Sequence, residues 1–121
     1  DDNVRFGNNL GMLLHQCGKK ASDLRHQMEL LNYRSFTPAA ISQIISGKNG
    51  ISPESLNSLL SFINDRWAGQ NFQFRSPSKT ALTKEDMYLG PQEFLEIFKS
   101  PIIDKEVRVF LKKLGCDSPA S

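Results

Sequence analysis

The chain has 121 residues, 39% of them hydrophobic, and a formal net charge of +2. This length and apolar fraction predict one domain, or one domain with an appendage, whose modest core folds without disulfide bonds. Its two cysteines, Cys17 and Cys116, lie far apart and have no zinc-like spacing to a histidine, so we expect a reducing setting and no bound metal.

Four helices are expected in the first half of the chain. The first carries one apolar stripe, can be capped by Asp2 or Asn3 and ends at Gly18. Its stripe consists of Phe6, Leu10, Leu13, Leu14 and Cys17. The second helix starts at Ser22, whose hydroxyl can cap it. The apolar residues of the second helix are Leu24, Met28 and Leu31.

Thr37-Pro38 and Ser52-Pro53 predict the starts of the third and fourth helices. The hydroxyl of each cap can accept from a free N–H, and proline at the first helical position has no N–H to leave unpaired. The third helix has three isoleucines on one edge and ends at Gly47. Those isoleucines are Ile41, Ile44 and Ile45, and the fourth helix carries Leu56, Leu59, Leu60, Ile63 and Trp67.

The second half begins with a predicted linker, residues 68–81, which is rich in Gly, Ser and Pro and extended near 72–74. Helices are expected after Thr83, Pro91 and Ser100-Pro101, the last closed by Gly115, with the final two forming a hairpin or sharp corner. The predicted organisation is an all-α protein with a first helical domain at 3–67, the linker, and a helical region at 82–116.

Residues for catalysis are scarce. His15 has no acid at helical spacing, and His26 with Asp23 and Glu29 predicts surface pairs rather than a proton relay. Gly-rich phosphate loops, nucleophile elbows and metal-spaced clusters are missing from the sequence. We therefore expect no enzyme activity, cofactor or small-molecule ligand. No apolar run approaches the roughly 20 residues of a membrane span, and DDNVRFG lacks the features of a signal peptide, so a cytoplasmic protein without a membrane partner is expected.

The helix at 37–46 is the most informative segment. Residues 3–67 hold seven Lys/Arg against four Asp/Glu, and no carboxylate lies between Glu29 and Glu54. A helix that enters the DNA major groove needs small or hydrogen-bonding side chains outside and apolar bracing behind. The side chains opposite the isoleucine edge are Thr37, Pro38, Ala39, Ser42, Gln43 and Ser46. The pattern fits a groove helix, and equally an amphipathic helix of an ordinary bundle.

The stretch FTPAAISQIISGKNGISPESLNSLLSFI resembles the second half of the lambda-repressor-like, Xre-type helix-turn-helix domain. The shared features are a Thr cap, Ile and Ser in the recognition helix, Gly, a basic loop, Pro and a Leu-rich following helix. In this sequence they are Thr37, Ile41, Ser42, Ile44, Gly47, Lys48 and Pro53. The resemblance covers roughly residues 5–66. The long turn NYRSF is similar to that of the mycobacterial Xre-type secretion regulators, which also compact DNA.

The resemblance implies a sequence-preferring, double-stranded-DNA-binding transcriptional regulator associated with the nucleoid. The implied base-reading positions are Thr37, Pro38, Ala39, Gln43 and Asn49. The implied phosphate-binding positions are Lys19, Lys20, Ser22, Arg34, Ser42 and Lys48, although Arg34 could equally be a solvated turn residue. Gln43 can read adenine through paired hydrogen bonds, whereas Pro38 offers no donor. With no arginine on the groove face, backbone contacts and DNA shape are expected to carry much of the affinity.

Family members commonly bind DNA as dimers, which implies a homodimer here. The final hairpin carries more apolar side chains than two short helices can bury, so they either pack on the first domain or form the dimer surface; we favour the second. The expected dimerisation residues are Phe94, Phe98, Val107, Phe110, Leu111 and Leu114. The cations of the last helix are taken as a solvated face. The alternative is a protein-binding module, such as an antitoxin or phage-type inhibitor, that grips its partner through the hairpin.

Overall fold

The computed structural model describes residues 1–114, which form seven α-helices and no β-strand. The all-α expectation is therefore confirmed for this part of the chain. The helices are α1 (Asp2–Gln16), α2 (Ala21–Leu30), α3 (Pro38–Ile45), α4 (Pro53–Phe62), α5 (Lys84–Met87), α6 (Pro91–Leu95) and α7 (Lys105–Lys113). A π-helical turn, Ile63–Trp67, continues α4. Gly115, Cys116 and the end of the expected C-terminal region lie outside the described residues.

The starts of α3, α4 and α5 are as predicted. The Thr37 hydroxyl accepts from the Ala40 N–H at 3.1 Å, and the Ser52 hydroxyl accepts from the Ser55 N–H at 3.2 Å. Thr83 caps α5 in the same way, with 3.3 Å to the N–H of Asp86. Each cap satisfies a donor that the helix itself leaves unpaired, using a side chain only three residues away.

Three other starts differ from the prediction. Asp1, rather than Asp2 or Asn3, caps α1, and its carboxylate accepts from the Asn3 N–H at 2.8 Å. Ser22 lies inside α2, because the Asp23 carboxylate reaches back to the Lys20 N–H at 2.8 Å and sets the start two residues earlier. Ser100-Pro101 does not open the last helix. Asp104 caps it instead, accepting from the N–H groups of the second and third helical residues at 3.1 and 3.2 Å.

One continuous hydrophobic core joins the two halves of the chain. The predicted α1 stripe is buried along its length, and Trp67 and Phe94 are 1% and 0% exposed. The second half wraps around α1, which packs against α3, α5, α6 and α7. α1 is therefore the central helix, and it carries α3 on one part of its surface.

Carboxamide side chains fasten the second half to α1 and α4. Asn9, fully buried, donates to the carbonyls of Met87 and Leu89, at 2.9 Å each. Gln16 donates to the Ser100 carbonyl at 3.0 Å and accepts from the Ile102 N–H at 2.8 Å. Because each amide satisfies backbone groups that have left regular structure, these contacts replace the missing helical hydrogen bonds.

Asn64 makes the equivalent contact from the π-helical turn, donating to the Leu82 carbonyl at 3.0 Å and accepting from its N–H at 2.8 Å. Residues 72–74 are extended as expected, and Phe74 forms an isolated antiparallel bridge with Phe98. The Phe72 ring packs edge-on against Phe98, with centroids 5.3 Å apart. The segment at 68–81 is thus tied to the core rather than spanning open space.

The structure corrects the dimer surface. Phe94 and Phe98 are 0% exposed, and Val107 and Leu111 are 1% exposed, within a single chain. They pack on the first half, the arrangement that the sequence left open and we did not favour. α6 and α7 are also separated by residues 96–104, so they are not a closely joined hairpin. Of the six expected interface residues, only Phe110 and Leu114 are partly exposed.

Candidate nucleic-acid interface

The outer face of α3 is open to solvent. Its exposed side chains are Thr37, Pro38, Ala39, Ser42, Gln43 and Ser46, the same set that the sequence predicted. Ile41 and Ile44 point inward, at 2% and 6% exposure. The face carries no carboxylate, so a polyanion approaching it meets only neutral polar and apolar groups and the exposed start of the helix.

The end of α3 packs directly on the backbone of α1. A Cβ atom added at Gly7 would lie 2.7 Å from the Ile45 carbonyl oxygen and closer still to that of Ile44. Only glycine permits this approach. Gly47, at φ +83°, ends the helix and faces Val4, so the start of α1 fixes both the end of α3 and the loop after it.

Gln43 organises the loop that follows α3. Its main-chain carbonyl accepts from the N–H groups of Lys48 and Asn49, at 3.0 and 3.3 Å. Its side-chain oxygen accepts from the Asn49 amide at 2.6 Å. That oxygen keeps a second lone pair, and the Gln43 amino group keeps its donors, so the side chain is oriented while it retains the donor and acceptor that adenine requires.

The long turn between α2 and α3, residues 31–37, is anchored to α4 and the π-helical turn. The Tyr33 hydroxyl donates to Asp65 at 2.6 Å, a bond that raises the pKa of Tyr33, and its ring packs edge-on against Phe62. The Ser58 hydroxyl donates to the Arg34 carbonyl at 3.1 Å. The lengthened turn therefore holds α2 and α3 in a defined relation.

The predicted phosphate-binding side chains differ in whether they are exposed and free of ion pairs among the described residues. Arg34 forms an ion pair with Glu54 of α4. Within residues 1–114, Lys19, Lys20 and Lys48 take part in no ion pair, and Lys20 and Lys48 are exposed. Ser22 is exposed in the first turn of α2, close in sequence to the two lysines but separate from the α3 face.

The sequence did not indicate the Gln43–Asn49 bond, since those residues meet only because the chain reverses at Gly47. It also gave no sign that the acidic start of α1 adjoins this loop. The Asn3 side-chain oxygen would lie 2.7 Å from a Cβ at Gly50, which brings Asp1 and Asp2 close to the same region.

Two titratable groups outside the candidate interface, His15 and Cys17, lie in tertiary contacts or in the core. His15 contacts Asp104 at 2.6 Å and Glu106 at 3.0 Å, tertiary partners that helical spacing could not reveal. Burial raises the pKa of the Cys17 thiol to about 12. No cluster of three or more potential metal ligands occurs among residues 1–114, and none of the helices there has the length and apolar character needed to cross a bilayer.

Two adjoining grooves, of about 400 and 240 Å³, lie on the second half of the chain. They share Arg75, whose guanidinium Nε donates to the Glu96 carbonyl at 2.8 Å. The larger groove is lined by Arg75, Gln92, Leu95, Glu96, Pro101 and Ile103. These residues belong to elements other than α3, so the grooves are separate from the candidate interface.

The chain matches no protein-family model, no curated protein and no solved structure. The case for a function therefore depends on the geometry and chemistry of the chain itself.

Proposed function

We propose that the protein binds double-stranded DNA with a preference for particular sequences and regulates transcription by occupying its sites. In this proposal α3 enters the major groove with Ala39 and Gln43 towards the base edges, and Lys48 contacts a phosphate. Two copies of the chain occupy each site through a surface other than the buried α6–α7 face. The helix-turn-helix assignment of α2 and α3 belongs to the same proposal.

One observation carries the proposal: the polar face of α3 is exposed, free of carboxylates and braced from behind by buried isoleucines. An exposed polar helix face is common in helical proteins. Here, however, the side chains are short, and the only long one, Gln43, accepts a hydrogen bond from Asn49 through its oxygen and keeps its amino group for a base edge. A slim, oriented surface of this kind is what the major groove admits.

The protein-binding alternative relied on an apolar hairpin. Because Phe94, Phe98, Val107 and Leu111 are buried, that surface is not available in this conformation. The large exposed apolar side chains of the described residues are others; they are Leu30, Leu31, Ile102 and Val109. This distribution favours the DNA-binding proposal over the alternative.

The test begins by selecting bound duplexes from a random library, and then measures affinity for a selected and a scrambled duplex by fluorescence anisotropy. We expect Gln43→Ala to lower the ratio of the two affinities about tenfold, since one paired base contact is worth about 1–3 kcal/mol. Lys48→Ala should weaken binding to both duplexes and leave the ratio unchanged.

Gln70→Ala is the matched control for Gln43→Ala, because Gln70 is an exposed glutamine in the 68–81 segment. It should leave both affinities unchanged. Equal losses for Gln43→Ala on the two duplexes would remove Gln43 from base reading. Wild-type binding that does not weaken with salt would overturn the DNA-binding proposal as a whole.

A further inference from the structure

One stripe of α1 carries both α3 and α7. Along the first half of the stripe, Asn3, Val4 and Gly7 lie against Gly50, Gly47 and the last carbonyls of α3. Further along, the Phe110 ring of α7 covers Gly11, at 2.5 Å from a Cβ added there. Residues 3, 7 and 11 are spaced by four and so share one face of the helix. The end of α3 and the Phe110 ring of α7 therefore contact the same side of α1.

α7 runs antiparallel to α1. Its N-cap, Asp104, contacts His15 near the end of α1, whereas the Phe110 carbonyl accepts from the Asn8 amide at 2.5 Å, about seven residues earlier along α1. The C-terminal turn of α7 consequently points towards Gly7, where the end of α3 is seated. Gly7 and Gly11 are about 6 Å apart along the axis of α1, so the end of α3 and the C-terminal half of α7 contact neighbouring positions on α1.

The side of α7 that faces away from α1 carries a row of cations. Phe110 points at α1, and at about 100° per residue Lys105, Arg108 and Lys112 fall on the opposite side. All three are exposed, and none forms an ion pair within residues 1–114. The row spans about 10 Å along the helix, enough for two neighbouring phosphates of one strand.

We propose that this row, Lys105–Arg108–Lys112, is a second DNA contact that grips the phosphate backbone beside the groove occupied by α3. Because the end of α3 and the C-terminal half of α7 contact neighbouring positions on one side of α1, a duplex lying across that side can meet both. The row supplies the positive charge that α3 itself lacks. This inference rests on the proposed function, and it gives the second half of the chain a direct role in binding.

The experiment measures affinity for a random duplex at several salt concentrations between 50 and 200 mM. The logarithm of affinity falls with the logarithm of salt by about 0.9 for each phosphate contact. The double variant Arg108→Gln/Lys112→Gln should therefore reduce the slope by about 2. Lys84→Gln is the matched control, because Lys84 begins α5, which packs on the opposite side of α1 through Asn9.

The outcomes separate the two proposals. If Lys48→Gln lowers the slope by about 1 while the double variant behaves like Lys84→Gln, the α7 contact is refuted and the α3 interface stands. If the wild type shows no salt-dependent affinity for DNA, both fail. A third outcome would also overturn the α7 contact: the double variant loses the binding to phosphatidylserine vesicles that the wild type shows, but binds DNA as the wild type does. The row would then be a membrane-surface site. Circular dichroism of each variant verifies the fold.

Discussion

Replacing Gly7 with alanine should force α1 and α3 apart. The added methyl would lie 2.7 Å from the carbonyl oxygen of Ile45, 3.0 Å from its carbonyl carbon, and closer still to the Ile44 oxygen. These obstacles are all backbone atoms, which cannot rotate away as a side chain can. Relief therefore requires the end of α3 to move relative to α1.

The size of the effect follows from two opposing terms. Overpacking a well-filled site costs about 1–3 kcal/mol, and contact with rigid backbone places Gly7→Ala at the upper end. Alanine in a helix interior recovers about 1 kcal/mol relative to glycine. The net loss in the free energy of unfolding is about 2 kcal/mol, which lowers Tm by roughly 8 °C for a chain of this length.

The assay is thermal unfolding followed by circular dichroism, with Gly11→Ala as the matched control. At Gly11 the obstacle is the Phe110 ring, 2.5 Å from the added Cβ, and a partly exposed ring can shift. We expect Gly11→Ala to lower Tm clearly less than Gly7→Ala. A Gly7→Ala variant as stable as the wild type would refute the direct seating of α3 on the backbone of α1.

Three further predictions concern stability and reactivity. Asn9→Ala should destabilise the fold by about 2 kcal/mol in chemical denaturation. It leaves the Met87 carbonyl, which is buried, and the Leu89 carbonyl, which is partly buried, without this donor, while removal of the unpaired Asn9 oxygen offsets part of the loss. A loss below about 1 kcal/mol would contradict the role of that amide. The hydrogen bond from His15 and those from backbone N–H groups hold the pKa of Asp104 below its ordinary value. The ionised carboxylate therefore stabilises the fold when the pH is above the ordinary pKa, and this stabilisation is lost as the pH falls through the lower pKa of the folded state. The Tm difference between wild type and Asp104→Asn should thus be full at pH 6 and shrink in acid, and a difference independent of pH would exclude the charge as its origin. In a Cys116→Ser background, Cys17 should react with a thiol reagent at pH 8 only after unfolding, since burial raises its pKa to about 12; rapid labelling of the native protein would show that the thiol is accessible.

Features set by neighbouring residues were predictable from the sequence. Thr37-Pro38 and Ser52-Pro53 start helices because cap and first turn lie within four residues, so no tertiary contact is needed. The exposed set on α3 followed from the isoleucine periodicity for the same reason. These local signals also place the residues of the candidate interface.

Features set by distant residues were not predictable. The predicted start of α7 was Ser100, whereas Asp104 caps the helix. Gln16 of α1 is hydrogen-bonded to the backbone on both sides of Pro101. The apolar residues of α6 and α7 suggested a dimer surface because nothing local reveals that Asn8 of α1 donates to the Phe110 carbonyl of α7, and Asn9 to the Met87 and Leu89 carbonyls just before α6. Buried asparagines are infrequent in helical cores, and their signal in a sequence resembles that of an exposed helix face.

The most direct test of the central claim is a titration of ¹⁵N-labelled protein with a selected duplex, followed by amide chemical shifts. The account predicts that the largest changes fall on the α3 face and its loop, residues 37–49, with smaller changes along the outward side of α7. Changes confined to the groove around Arg75 and Glu96, or no changes at all, would contradict it.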